Sequence, residues 1–332
     1  MQVKYDELKK EFKRVLLSRK LKESDAEMCA TMFADTTETG VFTHGVNRFP
    51  TFIGQIDNGD FNLDAEPECV ASLGAVEQWD AHLAIGNITA KKANQRAMEL
   101  ADKYGIGMVA MRNANHWMRG GTYAYEAAEK GYMAISFCNS LPIVTPWGGT
   151  DARMGTNPII FAVPGNPPTL LDMATSQYSF GALDLHRLAG KQLEVDGGFD
   201  ENGKLTRDPA TIIKTKRLLP MGYWKGSGLG AIIDMMSAVL AGGKTSKEFL
   251  DQGSESSVCE IFIVMKLEGL GDKAEQNAKI QGIVDWITGS PAIDPEKPVF
   301  LPGHEFPKKL ADNRKRGYLE ISDEIWSKIK AL

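Results

Sequence analysis

Two short segments carry the residues best suited to proton transfer. Thr43-His44-Gly45-Val46-Asn47-Arg48 sets an imidazole four residues before a guanidinium, close enough on a helical turn to serve one ligand. Asn113-Ala114-Asn115-His116-Trp117-Met118-Arg119-Gly120-Gly121 sets amides, an imidazole and a second guanidinium beside two glycines. Reduction of a keto acid calls for such a set. Hydride addition to a carbonyl builds an alkoxide, which takes a proton from a group titrating near neutrality, and histidine fits. The substrate carboxylate wants a planar, two-pronged guanidinium. The same side chains have ordinary uses as helix caps, core hydrogen-bonders or solvated ion pairs, and spacing alone does not choose between these. A metal site is a third use. It would need residues brought from afar, because His44, His82, His116, His186 and His304 contain no HxH or HxxxH pair.

Two more segments have the look of ligand loops. Leu219 to Gly228 is rich in glycine and contains Trp224-Lys225-Gly226, and its amides and lysine could face an anion at a helix N-terminus. An ordinary turn leading into a helix is the competing reading. Leu301-Pro302-Gly303-His304-Glu305-Phe306 is a compact turn that covers a cofactor or merely joins two helices.

Standard nucleotide motifs fail. Gly105 to Ala110 imitates GxGxxA, but a helix precedes it and a strand follows, so it reads as a helix C-terminus. Gly269 to Ala274 does sit between strand and helix, yet no second parallel strand with an acidic tip follows. No Walker lysine motif occurs, and the acidic turn Asp196 to Gly203 lacks a calcium ladder. A Rossmann domain is not expected.

The elements that must position these loops alternate. Tyr5, Leu8, Phe12 and Leu16 predict a first helix, and Ser24-Asp25-Ala26-Glu27 matches a capping box opening a second that Gly40 ends. A third is expected from Arg48 to Ile56. Beyond residue 70, helices at Thr89–Lys103 and Tyr123–Glu129 alternate with strand-like runs at Ile106–Met111, Tyr132–Cys138, Pro158–Val163 and Thr169–Met173. His186 to Pro220 reads as an extended loop region. Helices at Leu229–Ala241 and Asp272–Trp286, a strand at Cys259–Leu267 and one short C-terminal helix complete an α/β chain.

Composition narrows the class. The 332 residues are 43% hydrophobic and 24% charged, with size for about two domains and a large core. Lys and Arg total 38 against 43 Asp and Glu, a net charge of −5 that disfavours a nucleic-acid binder. No apolar run is long enough to span a bilayer, and the charged N-terminus has no signal-peptide core. Cys29, Cys69, Cys138 and Cys259 form no CxxC pair, so reduced thiols in the cytoplasm are expected.

Taken together, Thr43-His44-Gly45 with Arg48, Asn115-His116, Gly155-Thr156-Asn157-Pro158, Asp172-Met173-Ala174-Thr175-Ser176 and Lys225-Gly226 with Gly228-Leu229 resemble the type-2 malate/L-lactate dehydrogenase family. The likeness runs end to end. It implies a non-Rossmann nicotinamide-binding α/β fold with a mixed central sheet and a discontinuous helical domain, assembled as a homodimer. Residues 1–70 plus 305–332 would form the helical domain, and 71–304 the cofactor-binding sheet domain with a helical and loop insertion around 186–250.

The resemblance also implies roles. His44 matches the proton donor. Cofactor positions map onto Pro168, Thr169, Leu170, Leu171, Asp172, Met173 and Ala174, onto Trp224 and Lys225, and onto His304, Glu305 and Phe306. Thr43, Arg48 and His116 match positions near the substrate, with Arg48 the candidate carboxylate clamp; Asn115 and Arg119 are our additions to that side. Three departures stand out. Thr43 replaces a common serine, Trp224 replaces a common histidine in a manner similar to the diketo-sugar-acid branch, and Pro168 removes one amide donor. The expectation is NADH- or NADPH-dependent reduction of a small anionic sugar acid, 2,3-diketo-L-gulonate, at C2 to 3-dehydro-L-gulonate. The same fold acting on malate, lactate, ureidoglycolate or a cyclic imino acid stays open. So do a metal-dependent hydrolase using His44 and His116 and a sugar-acid-binding protein without catalysis.

Overall fold

The computed structural model describes residues 1–252 and 256–332. After β1 (Gln2–Val3), α1 (Tyr5–Ser18) turns Leu8, Phe12, Val15 and Leu16 inward against α2 (Glu23–Glu38). A 3₁₀ turn (Phe42–His44) leads into α3 (Phe49–Asp57). Phe12, Phe33, Phe49 and Phe52 interlock here, with Phe12 and Phe49 centroids 4.2 Å apart. The expected capping box does not form. α2 begins at Glu23, which puts Ser24 inside the first turn, and Glu27 instead pairs with Lys9 at 2.7 Å and Lys13 at 2.9 Å.

The sheet then assembles from β2 (Glu68–Leu73), β3 (Val76–Asp80), α4 (Gly86–Tyr104), β4 (Ile106–Ala114), α5 (Gly121–Glu129), β5 (Tyr132–Cys138), β6 (Ile159–Val163) and β7 (Thr169–Met173). The β2–β3 hairpin has no counterpart in the sequence reading; β2 is exposed throughout and so shows no apolar alternation. Next come α6 (Phe180–Leu188), the hairpin β8 (Gly198–Phe199) and β9 (Leu205–Thr206), and α7 (Pro209–Thr215). The supposed loop of 186–220 is therefore structured. Asp208 accepts from the Ala210 and Thr211 amides and Pro209 fills the first helical position, while Ile212 and Leu218 join a small core with Leu183 and Leu193.

α8 (Trp224–Ala241) starts five residues before the expected Leu229. Its glycines serve close packing: a Cβ on Gly226 would lie 2.6 Å from the Thr175 carbonyl oxygen, and one on Gly230 2.9 Å from Thr175 Oγ1. The chain ends with α9 (Ser246–Gln252), β10 (Val258–Lys266), α10 (Lys273–Thr288), α11 (Phe306–Arg316), β11 (Leu319–Glu320) and α12 (Asp323–Ala331). Two helices thus stand where one was expected, split by Gly317 at φ +77°.

The main sheet runs β2-β3-β4-β10-β5-β6-β7, with β3–β4 parallel and the other pairs antiparallel. It is mixed, and β7 is an edge. Residues of α4 and α5 share a core with one face, and Ile233 and Ala241 of α8 pack on the other. The chain ends meet, since β1 pairs with β11 and Trp326 and Ile329 enter the phenylalanine core.

Candidate active site

His44 sits where α2 has ended and the chain must reverse. A Cβ on Gly45 would lie 2.4 Å from Thr37 Oγ1 and 2.9 Å from the Thr37 nitrogen, so only glycine lets the turn seat against α2. The Val46 amide donates to Thr37 Oγ1 at 2.9 Å and locks the turn. Thr43 Oγ1 lies 3.2 Å from His44 Nδ1.

His116 reaches the same place from the end of β4. Its loop rests on Gly86, where a Cβ would stand 2.2 Å from the Asn115 carbonyl oxygen and 2.5 Å from that of His116. The Met118 amide donates to His116 Nδ1 at 2.9 Å, which leaves the proton of the neutral ring on Nε2. The two imidazoles stack with centroids 6.0 Å apart and planes 21° from parallel.

Both rings line a cavity of about 280 Å³ together with Thr43, Arg119, Asp172 and Ala174. A second cavity of about 870 Å³ lies between α2, α5, Pro167–Pro168 and the start of α11, lined by Tyr125 and Phe306. Arg119 borders both. Its guanidinium stacks 4.3 Å over the Phe306 ring and donates to Thr39 Oγ1 at 3.0 Å.

The electrostatics favour neutral imidazoles and a bound anion. Burial, then the charges of Arg48 and Arg119, pull His44 down to about 4. Burial, then Arg48 and His44, hold His116 well below its ordinary value. Asp172 is exposed toward the cavity, yet much protein surrounds its carboxyl. Those surroundings raise the carboxyl's pKa, opposed by the hydrogen bond from the Gly121 amide at 2.9 Å and by the charge of Arg119.

The expected cofactor positions fall into two groups. Pro168 to Ala174 form β7 and its flanks, and the Leu301–Phe306 turn packs on them: the Leu170 amide donates to Pro302 O at 3.0 Å and Thr169 Oγ1 lies 2.9 Å from His304 Nε2. Glu305 turns away to pair with Lys309 at 2.8 Å. Leu170 is core, while Leu171 and Met173 alternate to the other face of the strand. Trp224 and Lys225 begin α8 outside both cavities, and Trp224 is 68% exposed.

On the substrate side, Thr43, His44, His116 and Arg119 come together. Arg48 does not line the cavity, though its charge acts on both imidazoles. Asn115 is not brought to the cavity. It is 1% exposed, with its amide nitrogen on the carbonyls of Leu83 at 2.8 Å and Ala84 at 3.1 Å, so its role here is to hold the loop.

The cavity also contains residues the sequence reading passed over, notably Trp117, Ser140 and Glu260. Glu260 was detectable, because it interrupts the apolar alternation Val258, Phe262, Val264 along β10. Among the described residues no group of three or more His, Cys, Asp or Glu side chains is placed to hold a metal ion.

The chain is similar to known proteins along its whole length. A family model described as malate/L-lactate dehydrogenase matches residues 3–330. The curated 2,3-diketo-L-gulonate reductase of Mannheimia succiniciproducens is 53% identical over 333 residues, covering 100% of both chains. The protein of that name from Salmonella newport is 54% identical with the same coverage. Among solved structures, sulfolactate dehydrogenase from Methanocaldococcus jannaschii superposes with a TM-score of 0.89 at 29% identity, covering 100% of this chain and 96% of that one. Malate dehydrogenase from Pyrococcus horikoshii gives 0.88 at 29% identity, covering 98% and 93%.

Proposed function

The chain belongs to the malate/L-lactate dehydrogenase family, and on that premise we propose that it reduces 2,3-diketo-L-gulonate at C2 to 3-dehydro-L-gulonate. The family is a nicotinamide-dependent group of oxidoreductases acting on hydroxy and keto acids. The observation that carries the proposal is the meeting of His44, His116 and Arg119 around one cavity beside an edge strand.

The residues fit a dinucleotide. The Leu170 amide points off the sheet edge to Pro302, so Asp172, two residues on, presents its own amide and carbonyl on the same side. The larger cavity falls within the roughly 300–1,000 Å³ range of ligand sites. Pro168 to Ala174 with His304 and Phe306 would hold the cofactor, and Trp224 and Lys225 would close it from the α8 side. Bound there, NADH or NADPH supplies hydride to the substrate carbonyl.

The chain's own residues do the rest. Arg48 and Arg119 supply positive charge for the substrate carboxylate. Once that anion is seated, it offsets the Arg48 and Arg119 contributions that add to burial in holding His44 neutral, and its negative charge favours uptake of a proton by the ring. His44 gives it at Nε2 to the oxygen forming at C2, while Thr43 engages Nδ1. His116, fixed through Nδ1, donates from Nε2 to the same substrate.

Residues 1–70 with 305–332 form the helical wall of the site in this reading, and 71–304 the sheet wall. A homodimer is supported by Ile232, Met235, Met236 and Val239, which leave an apolar side of α8 exposed. Among the described residues no single helix is long and apolar enough to cross a membrane, and no disulfide joins the cysteines. A cytoplasmic location is part of the same reading. The test is a substrate panel: NADH and NADPH oxidation with 2,3-diketo-L-gulonate, pyruvate and oxaloacetate. Preference for the diketo sugar acid supports the reading, and preference for another acid replaces its substrate.

A further inference from the structure

β10 sends Val258, Phe262 and Val264 into the core shared with α4 and α5, and its other side packs Cys259 and Ile261 toward α8. Glu260 occupies the apolar row. It is 0% exposed, and neither carboxyl oxygen has a hydrogen-bond partner among the described residues. A buried polar group without a partner is costly, and such costs persist where a site needs them. The place is specific, because Glu260 belongs to the wall of the cavity that holds His44 and His116; its carboxyl oxygens have no accessible surface in the ligand-free site, so engaging a ligand requires the side chain to turn into the cavity. The β10–β4 ladder shifts register between Val258 and Glu260, and irregularities of this kind re-aim side chains beside active sites.

Resting on the function proposed above, we infer that Glu260 is a specificity residue that hydrogen-bonds an oxygen of the substrate beyond C2. Burial pushes its carboxyl well above the ordinary range, so the group is neutral and both donates and accepts. A hydroxyl or carbonyl oxygen on a sugar-acid chain matches that pairing; a methyl group does not. Two polar neighbours in the same cavity wall are already committed. Asn139 is bonded to Asp234, Lys244 and Cys259, and Ser140 to Asn157, which leaves Glu260 to serve the ligand. Position separates it from the cofactor side. In the order β10-β5-β6-β7 it stands three strand spacings, about 14 Å, from the edge that would carry the dinucleotide.

The test compares Glu260→Leu, which keeps bulk and loses hydrogen bonding, with Glu260→Gln, which keeps a donor and an acceptor. Each is assayed for kcat/KM with 2,3-diketo-L-gulonate, for inhibition by oxamate, a two-carbon amide acid with no oxygenated tail, and for NADH affinity. Glu260→Leu should lose about tenfold or more in kcat/KM on the diketo sugar acid. Its oxamate inhibition and NADH affinity should stay unchanged, and Glu260→Gln should recover most of the loss. Its melting temperature should not fall, because an unpartnered polar group is being removed. Equal losses for both acids, a loss confined to NADH affinity, or no loss at all overturns the assignment while leaving the family activity intact. A wild type that oxidises no NADH with any keto acid overturns the functional reading, and this inference with it.

Discussion

The imidazole of His44 lies face to face with that of His116, centroids 6.0 Å apart and planes 21° from parallel. Burial is the main cause that keeps both rings neutral; Arg48 adds to it on both, and Arg119 on His44. The free site therefore keeps its imidazoles neutral and its guanidiniums charged. In the proposed reaction an entering anion offsets the arginine charges, though not the burial, and favours protonation, so the substrate's carboxylate would help to prepare its own proton donor.

Anion binding should accordingly raise the His44 pKa. In proton NMR titrations, the His44 ring signal should titrate near 4 in the free protein and move upward with oxamate and NADH bound. An unchanged titration would detach the proton donor from the carboxylate site.

Stability should follow the same chemistry. His44 titrates at about 4 when folded and near 6.5 when unfolded, so between those values the unfolded chain binds more protons. Its contribution is constant above pH 6.5 and is lost as pH falls toward 4. Asp172 and Glu260, pushed up by burial, act with the opposite sign, so the informative quantity is a difference. The gap in melting temperature between His44→Gln and wild type should shift in favour of the variant from pH 6.5 to 4. Parallel curves would contradict this.

Gly86 should matter more than its size suggests. Gly86→Ala drives a methyl into the Asn115 and His116 carbonyls, and denaturant unfolding should show a loss of about 1–3 kcal/mol, with turnover reduced. Gly54→Ala is the control. Nothing lies within 4 Å of its added methyl inside α3, and it should be neutral or stabilising by up to about 1 kcal/mol.

Arg119 joins the two cavities, so its planar shape should count as well as its charge. Arg119→Lys keeps the charge but loses the stack on Phe306. Fluorescence titration should show NADH binding weakened by roughly tenfold, the scale of one lost cation–π or hydrogen-bond contact. Wild-type affinity in this variant would place the cofactor away from Phe306.

Some of this was legible from residue types. Helices with an apolar stripe, such as α1, and strands with one or two buried faces, such as β4 and β10, announce themselves through period. His44, His116 and Arg119 stood out because two imidazoles and guanidiniums lay in glycine-bearing loops. Other features were hidden for physical reasons. β2 is exposed on both sides and carries no pattern. α7 announced itself only through the Asp208-Pro209 cap, which its charged surroundings masked. Asn115 looked like a ligand because its commitment to the Leu83 and Ala84 carbonyls is a tertiary fact. Glu260 joins His44 only when β10 enters the sheet between β4 and β5, a pairing that no local spacing contains.

The central claim is that His44 is the proton donor for reduction of 2,3-diketo-L-gulonate. The most direct measurement follows NADH absorbance on adding that acid to wild type and to His44→Ala, with NADH affinity of both measured by fluorescence. The account predicts brisk oxidation by wild type and a fall of about 10²–10⁴-fold in kcat for the variant, at little-changed NADH affinity. Undiminished turnover in His44→Ala would contradict it.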